Sequence, residues 1–331
     1  QLGHRRYRPL SSGLSKLIPG LAYQARKRNS RQLIWAKVGS SLCEPAPMVQ
    51  STNPGHRPAK TRGARCKLSS AKINGIDVHY QSFGEGETIV FAHGAGGNLL
   101  SWWQQIPFFS QNYACVTIDQ RGFGHSLDVP GGPGAGAFVE DLVGLLDHLE
   151  IDSAHLVAQS MGGRTMLGFA VAHPQRTKSL VMADTVGGMA VPEVEELQRQ
   201  LRDTNPSNIS IGHRAVSQGF VQRNPALANL YLQISQTNPT RSEPAGGQPQ
   251  GPTLAQLGSL QVPTLFIVGE EDQIAPPAVL EAATKTIPGA RLTRVPEAGH
   301  SVYFEQPDIF NFEVSRFIQS VTEPSKVASA V

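Results

Sequence analysis

The chain has 331 residues, 40% of them hydrophobic and 17% charged, which suits a folded protein with a sizeable core, as one large domain with an insertion or as two small ones. No run of about 18 apolar residues occurs, which excludes a membrane-spanning helix. The formal charge of +3 hides an asymmetry: residues 1–70 hold 14 Lys or Arg against a single acid, Glu44, and the remainder carries a net charge of −10.

The basic segment, 1–68, shows no sustained period of 2 or 3.6 and is predicted to be disordered. An organelle transit peptide, a nucleic-acid-binding tail and an over-extended translation with its true start near Met48 are the three readings of it. The last is preferred, and a secretory signal is not expected, because no clean apolar stretch precedes a small-residue cleavage site. The three cysteines (Cys43, Cys66 and Cys115) give neither a disulfide framework nor zinc-ligand spacing. Reducing, cytoplasmic surroundings are therefore expected, with organelle import if the basic segment is a transit peptide. No nucleic-acid or membrane partner is expected for the body, and the oligomeric state is left open.

From about residue 70 strands and helices alternate. Strands are predicted at 76–80, 88–92, 115–118, 155–158, 179–183, 264–268 and 291–295, with a helix at 138–149. Short apolar runs separated by helix-length segments imply βα units and a mostly parallel sheet. The alternation breaks at 186–258, where helical stretches at 194–202, 213–221 and 227–235 come without strands, followed by a Pro- and Gly-rich loop at 238–252. This segment is predicted to be a small helical cap inserted after the sixth strand of the fold. The core is then 69–185 plus 259–322, and 323–331 is a tail.

Chemistry concentrates where predicted strands end. The strand at 155–158 runs into Gln159-Ser160-Met161-Gly162-Gly163. A serine with small residues two positions to either side fits a strained strand-to-helix turn that exposes the hydroxyl. A helix start capped by Ser160 is the plainer reading of that run alone. The strand at 264–268 is followed by Gly269-Glu270-Glu271-Asp272, and the last strand by Gly299-His300. A serine nucleophile needs a base and an acid that orients the base, and these loops offer His300 and Asp272. The loop His93-Gly94-Ala95-Gly96-Gly97 can present backbone amides, so the Ala95 and Met161 N–H groups are the expected oxyanion donors. His125 is a weaker candidate base, since it precedes the serine.

With Asp119-Gln120-Arg121-Gly122-Phe123-Gly124-His125-Ser126, these motifs stand in the order of the α/β-hydrolase superfamily, which residues 70–320 resemble. The resemblance implies an α/β-hydrolase fold: a mostly parallel central sheet flanked by helices, with a triad of Ser160, Asp272 and His300. The closest likeness is to compact, cofactor-free esterases, enol-lactonases and carbon–carbon bond hydrolases. It implies no cofactor and no metal, and a small-molecule substrate. Ala158 replaces the usual first glycine of the elbow. Gly94, Trp103, Tyr231 and Tyr303 are the expected substrate contacts, with Arg164, Arg202, Arg214 and Arg223 available to a substrate carboxylate. The expected function is a serine hydrolase of small esters or lactones. A carbon–carbon bond hydrolase with the same triad, and a ligand receptor on a retained hydrolase core, are the alternatives.

Overall fold

The computed structural model describes residues 68–204, 214–240 and 249–322. Its centre is an eight-stranded sheet in the order β1-β2-β4-β3-β5-β6-β7-β8. The strands are β1 Ser69–Ile73, β2 Ile76–Phe83, β3 Thr88–Ala92, β4 Ala114–Ile118, β5 Ala154–Gln159, β6 Thr177–Ala183, β7 Thr264–Gly269 and β8 Arg291–Val295. β1 and β2 run antiparallel at one edge, and every pairing from β4 through β8 is parallel.

The helices are α1 Ile106–Phe109, α2 Phe138–His148, α3 Gly162–Ala172, α4 Pro192–Thr204, α5 Gln218–Arg223, α6 Pro225–Gln236, α7 Leu254–Gly258, α8 Pro277–Thr284, α9 Val302–Glu305 and α10 Pro307–Thr322. Successive side chains of a strand point to opposite faces, so a sheet covered on both sides needs apolar residues at every position. The central positions of β3, β5 and β7 largely meet that demand. Val90, Leu156 and Phe266 pack on one face with α2, α3 and α8, while Ile89, Phe91, Val157 and Ile267 pack on the other with α1 and α10. Cys115 is buried among the second group, where burial pushes its thiol pKa up to about 12.

Three differences from the sequence reading stand out. β1 is an additional strand; Ser-Ser-Ala-Lys-Ile is too short and polar to show, but Ala71 and Ile73 bury one face. The stretch expected as one helix at 213–221 is broken at 215–217: Arg214 is helical, and a new helix starts at Gln218, where the Ser217 side chain accepts a hydrogen bond from the Phe220 amide. Both ends of the expected cap pack on the core: Val186, Met189, Val191 and Val194 at one end and Leu257 at the other join its first apolar cluster. The two ends are also joined by a hydrogen bond from Ala190 N to Pro252 O. The readings of 1–67 and 323–331, and of Arg202 within the cap, lie outside the described residues and side chains.

Candidate active site

Ser160 sits between β5 and α3 with φ of 49°, a left-handed conformation that is uncommon for any residue with a Cβ. The turn is fixed from both sides: Ser160 N donates to Ala183 O on β6, and Gly163 N donates to Ser160 O. Glycine is required at 162, because a Cβ there would lie 2.2 Å from the Ala92 carbonyl oxygen of β3. The elbow thus brings the start of α3 against the end of β3, where the glycine-rich loop begins.

The three residues read from separate loops meet. Ser160 Oγ lies 2.8 Å from His300 Nε2, and His300 Nδ1 lies 2.9 and 3.0 Å from the two Asp272 oxygens. A nitrogen facing a carboxylate carries the proton, which leaves Nε2 as the acceptor for the serine hydroxyl. Asp272 is itself fixed, with Oδ1 accepting from the Ile274 and Ala275 amides at 2.8 and 2.9 Å. Burial alone would push the His300 pKa down, but Asp272, then Asp184 and Glu305, outweigh it and hold the imidazole above its ordinary value.

The loop after β3 folds back by a Gly97 N to Gly94 O hydrogen bond. A Cβ on Gly94 would come within 3.0 Å of Ser160 Cβ, so this backbone lies directly against the serine. Ala95 and Met161 are both only half-buried, and their amides donate to no backbone or side-chain group among the described residues. They are free to serve a third party.

The other expected contacts divide. Tyr231 is buried, accepts a hydrogen bond from Ser301 Oγ at 3.2 Å, and has its hydroxyl 3.4 Å from where a Gly96 Cβ would stand. From α6 its hydroxyl thus stands between the histidine loop and the glycine-rich loop. Tyr303, by contrast, is 2% exposed and packs on Trp102 and Phe310; it is core, because the chain turns into α9 just after His300. Trp103 is 41% exposed and makes a T-shaped ring contact with Phe304, whereas Trp102 beside it is fully buried. His125 is not a base: its side chain is 65% exposed and faces Asp119. The 119–126 segment is structural, since Asp119 accepts from the Leu99 and His125 amides and Arg121 pairs with Asp141 and Asp128.

Sequence reasoning missed three polar groups at the site. Gln159 Nε2 donates to His300 O at 2.7 Å. Asp184 is fully buried at the end of β6, with its oxygens accepting from the Gly269 and Val302 amides at 3.1 Å each. Burial, then the nearness of Asp272, raises the Asp184 pKa well above its ordinary value. Glu305 is the third. Only the position of Asp184 at a strand's carboxyl end could have drawn notice in the sequence. Among the described residues no group of three or more His, Cys, Asp or Glu is arranged to hold a metal, and no helix is long and apolar enough to cross a membrane.

A central parallel sheet with a serine elbow after β5 and an acid and a histidine after β7 and β8 defines the class. The chain belongs to the α/β hydrolase fold family, whose sequence model matches residues 87–307. It is 27% identical to 3-oxoadipate enol-lactonase 2 of Acinetobacter baylyi, over 72% of this chain and 92% of that one. It is 28% identical to 2-hydroxy-6-oxo-6-phenylhexa-2,4-dienoate hydrolase of Comamonas testosteroni, over 74% and 92%. Among solved structures, a thermophilic esterase from Thermogutta terrifontis superposes with a TM-score of 0.67 at 26% identity, covering 77% of this chain and 99% of that one. These similarities place the chain among hydrolases.

Proposed function

We propose that the protein is a serine hydrolase of small carboxylic esters or lactones, acting through an acyl-enzyme on Ser160. The observation that carries this reading is the chain of contacts from Ser160 Oγ through the His300 ring to Asp272. Ser160 Oγ attacks the carbonyl carbon while its proton passes to His300 Nε2, and the imidazolium is balanced by Asp272. The carbonyl electron pair moves onto oxygen, facing the Ala95 and Met161 amides. Collapse of this intermediate expels the alcohol oxygen, which takes the proton from His300. In a lactone the expelled alcohol stays tethered to the acyl group. Water, deprotonated by His300, then attacks the acyl-enzyme, and the acid leaves as the serine proton returns.

Cleavage of a carbon–carbon bond by the same triad is the second reading, favoured by the likeness to the dienoate hydrolase. Arg164 supports it. This arginine lies one turn after Ser160, is half-buried against Gly188, and has no carboxylate partner among the described residues. Steady-state rates on a p-nitrophenyl ester, a γ-lactone and a ring-cleavage dienoate separate the two. The ester or lactone reading expects turnover of the first two above about 1 per second. Turnover of the dienoate alone, lost in Arg164→Ala, would replace it with the second.

A further inference from the structure

His300 is held by two neighbours that are themselves held by one carboxylate. Glu305, at the end of α9, accepts from Gly299 N at 3.0 Å and from Ser301 N at 3.3 Å through Oε1. Its other oxygen, Oε2, accepts from Ser217 N at 2.8 Å, and the Ser217 hydroxyl donates to the same carboxylate. Ser217 lies 88 residues earlier in the chain, in the insertion between β6 and β7, immediately before α5. Both oxygens of Glu305 are thus spent as acceptors, as those of an ionised carboxylate are; burial raises its pKa above the ordinary value, and the donors from Ser217, Gly299 and Ser301 act against that rise.

The two backbones that Glu305 joins are in contact. A Cβ on Gly299 would stand 2.7 Å from Ser217 N and 3.1 Å from Val216 C, so only glycine lets the 215–217 segment approach the histidine loop. A second tie runs parallel to it, from Ser301 Oγ to the Tyr231 hydroxyl on α6. Removing Glu305 would leave three buried amides without an acceptor on the loop that aims the imidazole.

We propose that Glu305 is a positioning residue for His300, which clamps the histidine loop to the inserted 215–217 segment so that the seating of the cap sets the base. The proposal rests on His300 being the base. The groups facing His300 are Asp272 from the loop after β7, Asp184 from the end of β6, and Glu305 from α9. The phenols of Tyr231 and Tyr303 stand nearby, and burial keeps both protonated, that of Tyr231 with a pKa of about 12. Glu305 therefore contributes a negative charge as well as a geometry, and the two can be separated.

The test compares Glu305→Gln and Glu305→Asp, each confirmed as folded by thermal melting, in kcat and KM profiles against pH on p-nitrophenyl acetate. Glu305→Gln removes the charge, so the acidic limb of kcat/KM should move to lower pH by roughly half a unit to one unit. Its kcat should fall by roughly ten- to a hundredfold through misplacement of the base, with KM changed by less than about threefold. Glu305→Asp keeps the charge and shortens the clamp, so its limb should stay with the wild type while kcat falls. An unmoved limb in folded Glu305→Gln would overturn the proposal, as would a wild-type kcat in either variant. If Glu305→Gln does not fold, Glu305→Asp decides by its kcat alone. His300→Ala run in parallel distinguishes the two layers: full activity there sinks the triad reading itself, whereas an inactive His300→Ala beside an unaffected Glu305→Gln sinks only the clamp.

Discussion

The left-handed φ of 49° at Ser160 is a cost accepted at the one position where the side chain must leave the turn exposed. Such a conformation costs an L residue about 1–2 kcal/mol, and glycine escapes most of it. Ser160→Gly should therefore withstand urea better than Ser160→Ala, by about 1 kcal/mol, with both lacking activity. Equal midpoints would show that the turn is unstrained. The base makes a second prediction. Protonated His300 cannot accept the serine proton, so activity should vanish as pH falls and rise through an apparent pKa above the ordinary histidine value of about 6.5. Full activity well below that value would identify another base. The triad was legible in the sequence because each member follows an apolar run that marks a strand end. Glu305 and Asp184 were not, because their partners are backbone amides, some of them far along the chain: Gly269 lies 85 residues from Asp184, and Ser217 lies 88 from Glu305. An amide leaves no mark in a sequence.

At the scale of elements, the site depends on how closely α3 approaches β3 and how closely the loop after β3 approaches β5. Gly94 sets the second of these approaches. A Cβ there would stand 2.1 Å from Gln159 Oε1, and Gln159 in turn donates to His300 O. Gly94→Ala must therefore shift the oxyanion loop, Gln159, or both, and should lower kcat by about a hundredfold while the protein stays folded. A wild-type kcat would show that the loop tolerates displacement. The buried strands were readable because both their faces demand apolar residues. β1 was hidden, since an edge strand of five residues with one apolar face carries too short an alternation. How the insertion packs was also hidden. Its helical periodicity at 194–202 is genuine, yet nothing in that pattern says that Val191 and Val194 dock on the core rather than on a separate layer.

For the whole molecule, the sheet sets how much of the chain folding needs. β1 pairs with β2 along its full length, and Ile73 fills the space beside Gly144 on α2, where a Cβ would meet its Cγ2 at 2.6 Å. A chain starting at Leu68 should fold and keep its kcat, because every described strand and all three triad residues are retained. One starting at Asn74 loses Ala71 and Ile73 from the core and should be less stable by about 2–4 kcal/mol in urea. Equal stability of the two would mean that β1 contributes nothing.

The central claim is that Ser160 is a nucleophile made reactive by His300, and covalent labelling tests it most directly. A fluorophosphonate esterifies a serine only when a neighbouring base takes its proton and the site stabilises the resulting oxyanion-like phosphorus centre. Incubation should add one phosphonyl group per chain, located by mass spectrometry on the peptide carrying Ser160, with hydrolysis lost in step. Ser160→Ala should take up none and His300→Ala should label far more slowly. Labelling at another residue, or an unlabelled Ser160 in an enzyme that still turns over its ester, would contradict the account.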